Sequence, residues 1–346
     1  MTPRNQPLPA AEEPSPDPPA TRRSHPRGGL FDWAQLVRLP NVFTVLADVA
    51  AAFLLVAGGA HPWGSLAVVS AAGVSLYWAG MVLNDLFDLE QDRRERSSRP
   101  LAAGRISIRA ARRAGWGLLL TGVLLGAASG YVGGNGVAGG GDQGRWMPAA
   151  VAAALALAIV AYDGPLKRTP LAAWAMGGCR FLSFLLGGTA AIAAGATDRD
   201  TIPGYLPLIA AGFGLYVAGV TIIGRREAVG IHRGAILTGL GVTLGGVMLM
   251  AWTPRLAAAG MTWNVETGRA FPLLIGLVAA PVLGRQARLW LHPDPPRVQS
   301  AVRIGVLTII PLAACFALLG AGPGAGIAVF ALMIPSLALA SRFRVT

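Results

Sequence analysis

Long apolar segments separated by short polar ones make up most of the chain after residue 40. Segments of about 17–25 apolar residues are long enough to cross a bilayer as helices. Ten can be drawn, at 41–59, 63–84, 112–132, 147–163, 171–196, 204–224, 234–252, 271–290, 301–320 and 324–341. Only a Gly/Pro-rich turn separates the last two, which form either a tight helical hairpin or one broken element. The pattern predicts an all-α polytopic membrane protein with nine spans and, in its last segment, a tenth.

The composition agrees with this pattern. Of the 346 residues, 13% are charged and 53% hydrophobic, and the mean hydropathy is +0.54, which is typical of polytopic membrane proteins. Residues 1–30 are instead rich in proline and polar groups, so we expect a disordered cytoplasmic tail before a single transmembrane domain at 31–346. Cys179 and Cys315 both lie in apolar segments, which indicates neither a disulfide framework nor a cysteine metal site.

The net charge of +12 would suggest a nucleic-acid partner in a soluble protein, but the basic residues here are concentrated in alternate loops. The basic segments are 22–38, 93–113, 167–168, 225–233 and 285–303, and the intervening loops carry few basic residues. This is the positive-inside pattern of membrane proteins. It predicts a multi-pass protein of the cell inner (plasma) membrane, in contact with the lipid bilayer and with no nucleic acid, whose N-terminus and acidic motif are cytoplasmic.

An acidic segment directly follows the second apolar segment. It reads Asn84-Asp85-Leu86-Phe87-Asp88-Leu89-Glu90-Gln91-Asp92. Asn84, Asp88 and Asp92 are spaced by four residues and Asp85 follows Asn84, so the four lie on one side of a helix. Carboxylates this close repel one another, and charged side chains are costly near the membrane interior. The segment therefore predicts a bound cation. Mg²⁺ suits it because Mg²⁺ prefers oxygen ligands and is usually shared with substrate phosphates.

A second polar cluster, residues 162–170, ends the fourth apolar segment. It contains Lys167, the only lysine of the chain. A lysine ammonium is a compact charge suited to a diphosphate, and the guanidinium of Arg168 offers paired donors for oxygen atoms. Tyr162 can donate a hydrogen bond from the end of the span. The cluster is either a diphosphate site or an ordinary basic loop of a membrane protein.

Isolated polar residues in and near the spans leave further alternatives. Asp48 and Arg180 lie inside spans, where they either form a structural ion pair or contact an acceptor and a phosphate respectively. Asn41 either caps the first span or faces the same polar cavity. Arg99 belongs to a basic segment, 93–107, that is either solvated or a clamp for an anionic substrate.

Together these motifs resemble the UbiA superfamily of intramembrane prenyltransferases. The family's first Asp-rich motif is matched by Asn84-Asp85-x-x-Asp88-x-x-x-Asp92, and its usual continuation by Arg99-Pro100-Leu-x-x-Gly104-Arg105-x-Ser107. The family's Tyr/Lys-Arg element after the fourth helix is matched by Tyr162-x-x-x-x-Lys167-Arg168. The resemblance covers residues 35–320. It implies a UbiA-like helical bundle that encloses a lipid-accessible cavity.

The resemblance also implies a reaction. This is the Mg²⁺-dependent transfer of a prenyl group from a polyprenyl diphosphate to an aromatic or other polar acceptor. Asp85, Asp88 and Asp92 are implied to be catalytic and to hold Mg²⁺ directly or through water, and Asn84 is implied to assist as a further metal ligand.

The basic motif is implied to act on the diphosphate. Lys167 and Arg168 would bind its oxygens, and Tyr162 would lie near the reacting carbon. The other predicted substrate-binding residues are Asn41, Asn84, Arg99, Arg180 and Arg225. Charge develops on the leaving diphosphate, where prepositioned cations stabilise it, and an allylic cation needs a dry, partly aromatic pocket.

The chain departs from the family after the sixth apolar segment, where the family has a second Asp-rich motif. The chain has Arg225-Arg226-Glu227 there. Either an arginine neutralises the diphosphate in its place, or Asp163 supplies the missing carboxylate. Residues 162–171 and the pair Cys179-Arg180 are most similar to the EboC-like branch. That branch is associated with bacterial gene clusters implicated in trafficking of secondary-metabolite precursors across the inner membrane.

Three functions remain open on the sequence. The first is the prenyltransferase just described, in secondary-metabolite biosynthesis or precursor trafficking. The second is a non-catalytic UbiA-like membrane protein that binds or moves a lipid-linked or diphosphate ligand, which the altered second motif favours. The third is an intramembrane enzyme acting on a phosphate ester, such as an alcohol phosphotransferase, and the acid spacing of the chain counts against it.

Overall fold

A computed structural model describes residues 29–132, 144–197, 201–225, 232–256 and 262–342. Within these ranges the chain is helical and has no strands. The helices are α1 (Leu30–Leu36), α2 (Val42–Ala57), α3 (Trp63–Phe87), α4 (Leu89–Glu95), α5 (Ile108–Ser129), α6 (Met147–Ala161), α7 (Ala172–Ala193), α8 (Tyr205–Gly224), α9 (Arg233–Leu256), α10 (Ala270–Leu291), α11 (Pro295–Leu307), α12 (Ile309–Ala321), α13 (Pro323–Phe330) and α14 (Met333–Arg342). A 3-10 turn precedes α2 at Leu39–Asn41, and a turn of π-helix follows α6 at Tyr162–Leu166. Most of the predicted tail lies outside the described residues.

The predicted spans coincide with the helices, which confirms the prediction of an all-α membrane bundle. Nine stretches of the described residues are long and apolar enough to cross a membrane, at Leu39–Ala57, Trp63–Phe87, Met147–Leu166, Ala172–Ala193, Tyr205–Gly224, Arg233–Leu256, Ala270–Leu291, Pro295–Ala321 and Pro323–Arg342. The predicted span 112–132 forms α5, which has 22 residues. It is less apolar than the other spans because its first turns carry Arg109, Arg112 and Arg113.

The last two apolar segments form a hairpin. Gly322 has a φ of +86°, a left-handed conformation that glycine adopts without strain, and it reverses the chain between α12 and α13. The returning limb is interrupted between α13 and α14. In the first turn of α14 the hydroxyl of Ser336 donates a hydrogen bond of 2.9 Å to the carbonyl of Pro40. The last helix of the bundle therefore contacts the start of the first span.

Helix α7 packs directly on the backbone of α2. A Cβ atom at Gly187 would lie only 2.1 Å from the carbonyl oxygen of Val49, so no larger residue fits between the two helices. Small residues allow this close approach in lipid, where packing rather than hydrophobic burial holds helices together. The contact brings Arg180 and Ser183 of α7 beside Asp48 of α2.

Four phenylalanines pack in the centre of the bundle. Phe184 stacks on Phe213 with their ring centroids 4.8 Å apart, and Phe316 lies edge-on or tilted against both. Phe271 meets Phe316 at 5.3 Å. All four rings are fully buried, so α7, α8, α10 and α12 share one aromatic core.

An apolar groove of about 440 Å³ lies between α2, α3 and the α12–α13 hairpin. Its walls include Leu46, Ala50 and Leu54 of α2, and no charged side chain lines it. Leu46 and Ala50 are each two positions along the helix from Asp48, which places them on the other side of α2, and Leu54 follows Ala50 by four positions on the same face. The groove is therefore separate from the polar groups described next.

Candidate active site at the acidic end of the bundle

The acidic segment lies where α3 ends, at the end of the bundle that we call the acidic end because it bears Asp85, Asp88 and Asp92. The predicted helix does not run straight through, because Asp88 closes α3 and opens α4 with a φ of −89° and a ψ of 0°. The backbone hydrogen bonds from Asp88 to Asn84 and from Asp92 to Asp88 nevertheless persist, at 3.0 and 2.8 Å. The polar groups thus stay on one side of the chain despite the break.

Arg99 lies between two of these carboxylates. One of its guanidinium nitrogens, Nη1, is 2.7 Å from Asp92 and 3.4 Å from Asp85. Arg38, just before the first span, adds a second positive charge 3.8 Å from Asp85. Asp85 and Asp92 are each only 5% exposed, and two buried carboxylates this close require such a counter-charge. Arg99, predicted to bind substrate, thus neutralises the acidic segment in this structure.

The basic motif meets the acidic segment from the other side. The ammonium of Lys167 is paired with the carboxylate of Asp88. One turn earlier, Asp163 accepts a hydrogen bond of 2.8 Å from the side-chain amide of Asn84. Arg168, by contrast, is exposed. The predicted metal and diphosphate motifs therefore converge, although they come from the ends of two different spans.

The π-helical turn at Tyr162–Leu166 creates this convergence. Pro165 has no backbone N–H, so it cannot make the bond that would continue α6 as a regular helix. The wider turn that results carries one residue more than an α-helical turn, and such turns are frequent at functional sites. Gly164 faces the ring of Phe87 at the end of α3, where an added Cβ would still fit at 4.0 Å. The turn thereby directs Asp163 and Lys167 toward α3.

Arg225, at the end of α8, supports the loop that follows this turn. Its guanidinium donates hydrogen bonds of 2.8 Å to the carbonyl of Thr169 and 3.1 Å to the carbonyl of Lys167. The sequence predicted a substrate contact for Arg225, whereas its donors here hold the backbone that carries Lys167. Arg226 and Glu227, the rest of the altered second motif, lie outside the described residues.

A second polar group lies next to the acidic end, between α2 and α7. Arg180 pairs with Asp48 at 2.5 Å and also donates to the carbonyl of Thr44 at 3.2 Å. Ser183 donates to the other oxygen of Asp48 at 3.2 Å. Asp48 is fully buried, so this is the ion pair that the sequence offered as one of two alternatives. A buried carboxylate is stable in a membrane only with such partners.

Asn41 faces this polar group rather than capping the first span. Its side chain makes no capping hydrogen bond at the start of α2, and it lies against the hydroxyl of Tyr77. Tyr77 interacts electrostatically with Arg38 and Arg180, and Tyr162 with Arg38 and Arg225. Both tyrosines therefore adjoin the charged groups of the acidic end.

The oxygen donors of the acidic end fit a hard cation. Within the described ranges, no three His, Cys, Asp or Glu side chains form a ready-made cage, because basic side chains pair with the aspartates. The donors present are carboxylates and an amide, the types that Mg²⁺ prefers, and usually only one or two of them bind it. One buried carboxylate oxygen, Oδ2 of Asp163, has no hydrogen-bond partner. The donor set therefore suits Mg²⁺ shared with an anionic substrate.

Sequence reasoning missed several members of the site. Arg38 and Tyr77 were not singled out, and Asp163 was considered only as a substitute carboxylate. Two features of the sequence could have pointed to them. Tyr77 is a tyrosine inside an apolar span, and Asp163 is an acid four residues before the only lysine. Neither signal identifies a partner, because each contact joins residues that are distant in sequence.

Comparison with known proteins shows which family the chain belongs to. Residues 45–304 match the UbiA prenyltransferase family. The chain is 31% identical over 283 residues to a digeranylgeranylglyceryl phosphate synthase from Ignicoccus hospitalis, an alignment that covers 80% of this chain and 87% of that protein.

Solved structures show the same fold. A UbiA homologue from Aeropyrum pernix superposes with a TM-score of 0.55 at 19% identity, covering 84% of this chain and 97% of that one. A homologue from Archaeoglobus fulgidus bound to GPP and Mg²⁺ gives a TM-score of 0.52 at 15% identity, covering 87% and 99%. The EboC-like assignment stays a prediction. The extent of the family match and the identity to the curated relative place this chain, a multi-pass membrane prenyltransferase, in the UbiA prenyltransferase family.

Proposed function

We propose that the protein transfers a prenyl group from a polyprenyl diphosphate to an aromatic or other polar acceptor, with Mg²⁺ bound at the acidic end. The main support is the meeting of Lys167 with Asp88, which joins a cationic anion-binding group to a carboxylate segment. A homologue of the same fold was solved with GPP and Mg²⁺, which agrees with this substrate class.

The carboxylates and the cations have complementary parts in this reaction. Asp85, Asp88 and Asp92, with Asn84, would hold Mg²⁺, which supplies neutralising charge to a diphosphate. Lys167 would bind diphosphate oxygens as the allylic C–O bond breaks and the electron pair leaves with the diphosphate. Its prepositioned charge is most valuable at that moment, because charge is then developing on the leaving group.

Tyr77 and Tyr162 would lie near the prenyl part of the substrate. The face of an aromatic ring stabilises a nearby positive charge, and Tyr77 and Tyr162 both adjoin the charged groups of the acidic end. Arg99, Arg168 and Arg180 are further candidates for anionic substrate groups. Asn41 lies against Tyr77, where an acceptor hydroxyl or ring substituent would find a polar partner.

We also propose an orientation. Basic residues are concentrated in the loops on the side of the acidic end, as the positive-inside pattern requires of cytoplasmic loops. The acidic end and the N-terminus would then be cytoplasmic, in the inner membrane of the cell. A role in secondary-metabolite biosynthesis or precursor trafficking follows only from the resemblance to the EboC-like branch.

The proposal is tested with the purified full-length protein in lipid nanodiscs. The protein is supplied with Mg²⁺, a panel of radiolabelled isoprenyl diphosphates of increasing length, and a panel of phenolic and phosphoglyceride acceptors. We expect pyrophosphate release that requires both an acceptor and Mg²⁺. No release with any pair of substrates, or release without an acceptor, would count against prenyl transfer.

Two variants of the acidic segment test the role of its carboxylates in turnover. Asp88→Asn should abolish turnover, because it removes a carboxylate that contacts Lys167. Glu90→Gln should turn over normally, because the Glu90 side chain is 76% exposed and pairs with Arg93 on the surface. Normal turnover in Asp88→Asn would remove the acidic segment from the mechanism.

A further inference from the structure

Asp163 is a buried carboxylate that is only partly hydrogen-bonded. The residue is 4% exposed, and its Oδ1 accepts the hydrogen bond from Asn84. Its other oxygen, Oδ2, is buried and has no hydrogen-bond partner among the described residues. Burying a carboxylate oxygen in this way is costly, and such an atom calls for a partner such as an ion, a ligand or a water. Packing alone therefore does not account for an aspartate at this position.

Asp163 lies close to a second carboxylate and to basic groups that have other partners. It interacts electrostatically with Lys167, Asp88 and Arg38. The Lys167 ammonium is already paired with Asp88, and the Arg38 guanidinium lies 3.8 Å from Asp85. Each of these cations is therefore shared between carboxylates, and a further cation held by carboxylate oxygens would be a hard one.

Asn84 fixes the direction of this carboxylate. Its amide nitrogen donates to Asp163, and both side chains are buried. An amide that holds one oxygen of a carboxylate leaves the other oxygen in a defined place, as the outer partners of metal ligands do. Asn84 is therefore a positioning residue for Asp163.

The segment after α8 also bears on the role of Asp163. Where the family resemblance led us to expect acids after α8, the chain has Arg225, whose guanidinium is bound to the carbonyls of Thr169 and Lys167. Arg225 therefore supports the loop that carries Lys167. Glu227 lies outside the described residues, and among the acids of the described ranges Asp163 is the one with a buried carboxylate oxygen that has no hydrogen-bond partner.

We propose that Asp163 is a ligand for a divalent cation, which it shares with Asp88. The site rests on the proposed function, since a diphosphate would bring further oxygens to the same cation. Lys167 takes the position of counter-charge to Asp88 in this structure. Once a divalent cation neutralises Asp88 and Asp163, the Lys167 ammonium is free to turn to a phosphate oxygen.

Binding of Mn²⁺, a spectroscopic substitute for Mg²⁺, tests the first half of this proposal. Free Mn²⁺ is measured by electron paramagnetic resonance in titrations of the full-length protein, with and without inorganic pyrophosphate. Asp163→Asn should weaken Mn²⁺ binding by about 10-fold or more, the effect expected when a ligand is lost. Glu90→Gln, a nearby exposed acid, should bind Mn²⁺ as the wild type does. Equal affinity in Asp163→Asn and the wild type would overturn the assignment.

The single lysine of the chain allows a second test that needs no variant. An amine-reactive acetylating reagent can modify only Lys167 and the N-terminus, and mass spectrometry separates the two peptides. A side chain that leaves its ion pair with Asp88 is more accessible to the reagent. Mn²⁺ should therefore accelerate acetylation of Lys167 several-fold in the wild type. A rate that Mn²⁺ leaves unchanged would contradict the release of Lys167.

The outcomes separate this inference from the proposed function. Asp163-dependent Mn²⁺ binding without transfer to any acceptor would refute prenyl transfer and leave the cation site in place. Prenyl transfer together with unchanged Mn²⁺ affinity in Asp163→Asn would refute only the cation site.

Discussion

The ammonium of Lys167 is paired with the carboxylate of Asp88, although the two residues lie 79 positions apart in the chain. The pair joins the break between α3 and α4 to the loop that follows the π-helical turn. Because each residue lies beside a helix end rather than in a helix interior, small changes of the loop suffice to change the partner of the ammonium. The acidic segment and the basic loop are therefore one electrostatic unit.

Removal of the lysine should weaken substrate binding. A charge-assisted hydrogen bond contributes about 1.5–3 kcal/mol, so Lys167→Ala should raise the Kd for a prenyl diphosphate by about 10- to 100-fold. Equilibrium binding of a radiolabelled prenyl diphosphate measures the effect in the presence of Mg²⁺. Arg297→Ala, which removes a surface charge 55% exposed, is the control and should bind normally. Unchanged affinity in Lys167→Ala would exclude a diphosphate contact.

Removal of Arg99 should instead affect stability. Arg99→Ala leaves Asp85 and Asp92 buried without their shared counter-charge, and breaking such a pair costs about 3 kcal/mol. We expect a clearly lower Tm in detergent, measured by the unfolding-dependent reactivity of Cys179 and Cys315 with a thiol dye. Mg²⁺ should restore part of the loss, because it neutralises the same carboxylates. A Tm equal to that of the wild type would mean that the two aspartates do not need Arg99.

Variants of Arg225 can distinguish the contribution of its charge from that of its hydrogen bonds. If it acts by holding the carbonyls of Lys167 and Thr169, Arg225→Gln should retain part of the activity that Arg225→Ala loses, because glutamine can still donate to a carbonyl. We expect kcat/KM to fall by about 10-fold in the alanine variant, on the order of one lost hydrogen bond. If the two variants were equally inactive while Arg225→Lys was active, the charge itself would be the important property.

The contact between α7 and α2 predicts a contrast between two glycines of one helix. Gly187→Ala places a Cβ atom 2.1 Å from the carbonyl of Val49 and should destabilise the bundle by about 1–3 kcal/mol through overpacking. Gly178→Ala meets no atom within 4 Å and should leave the Tm unchanged or slightly higher. Comparison of the two Tm values in the same detergent tests the packing. A stable Gly187→Ala protein would mean that α7 can move away from α2 at no cost.

Much of the fold follows from the sequence because lipid imposes a simple rule on helix length and polarity. The spans were predicted within a few residues. The Asp48–Arg180 pair was also foreseen as an alternative, since two lone charges in apolar spans need one another. The alignment of Asn84, Asp88 and Asp92 survived because the backbone hydrogen bonds continue across the break at Asp88.

The contacts that complete the site could not be read from the sequence. The hydrogen bond from Asn84 to Asp163 depends on the extra residue of a π-helical turn, and a propensity for a regular helix gives no sign of it. The bonds from Arg225 depend on where the end of α8 lies relative to the next loop. Such relations depend on packing between helices, whereas sequence periodicity reports on one helix at a time.

The hydrogen bond from Ser336 to Pro40 brings both ends of the described chain to the same end of the bundle. A short linker between the tail after α14 and the segment before α1 would then disturb no interhelical contact. A circularly permuted protein, opened in the loop between α2 and α3, should accordingly assemble the same bundle. The order in which the spans enter the membrane would change, while the finished architecture would remain the same.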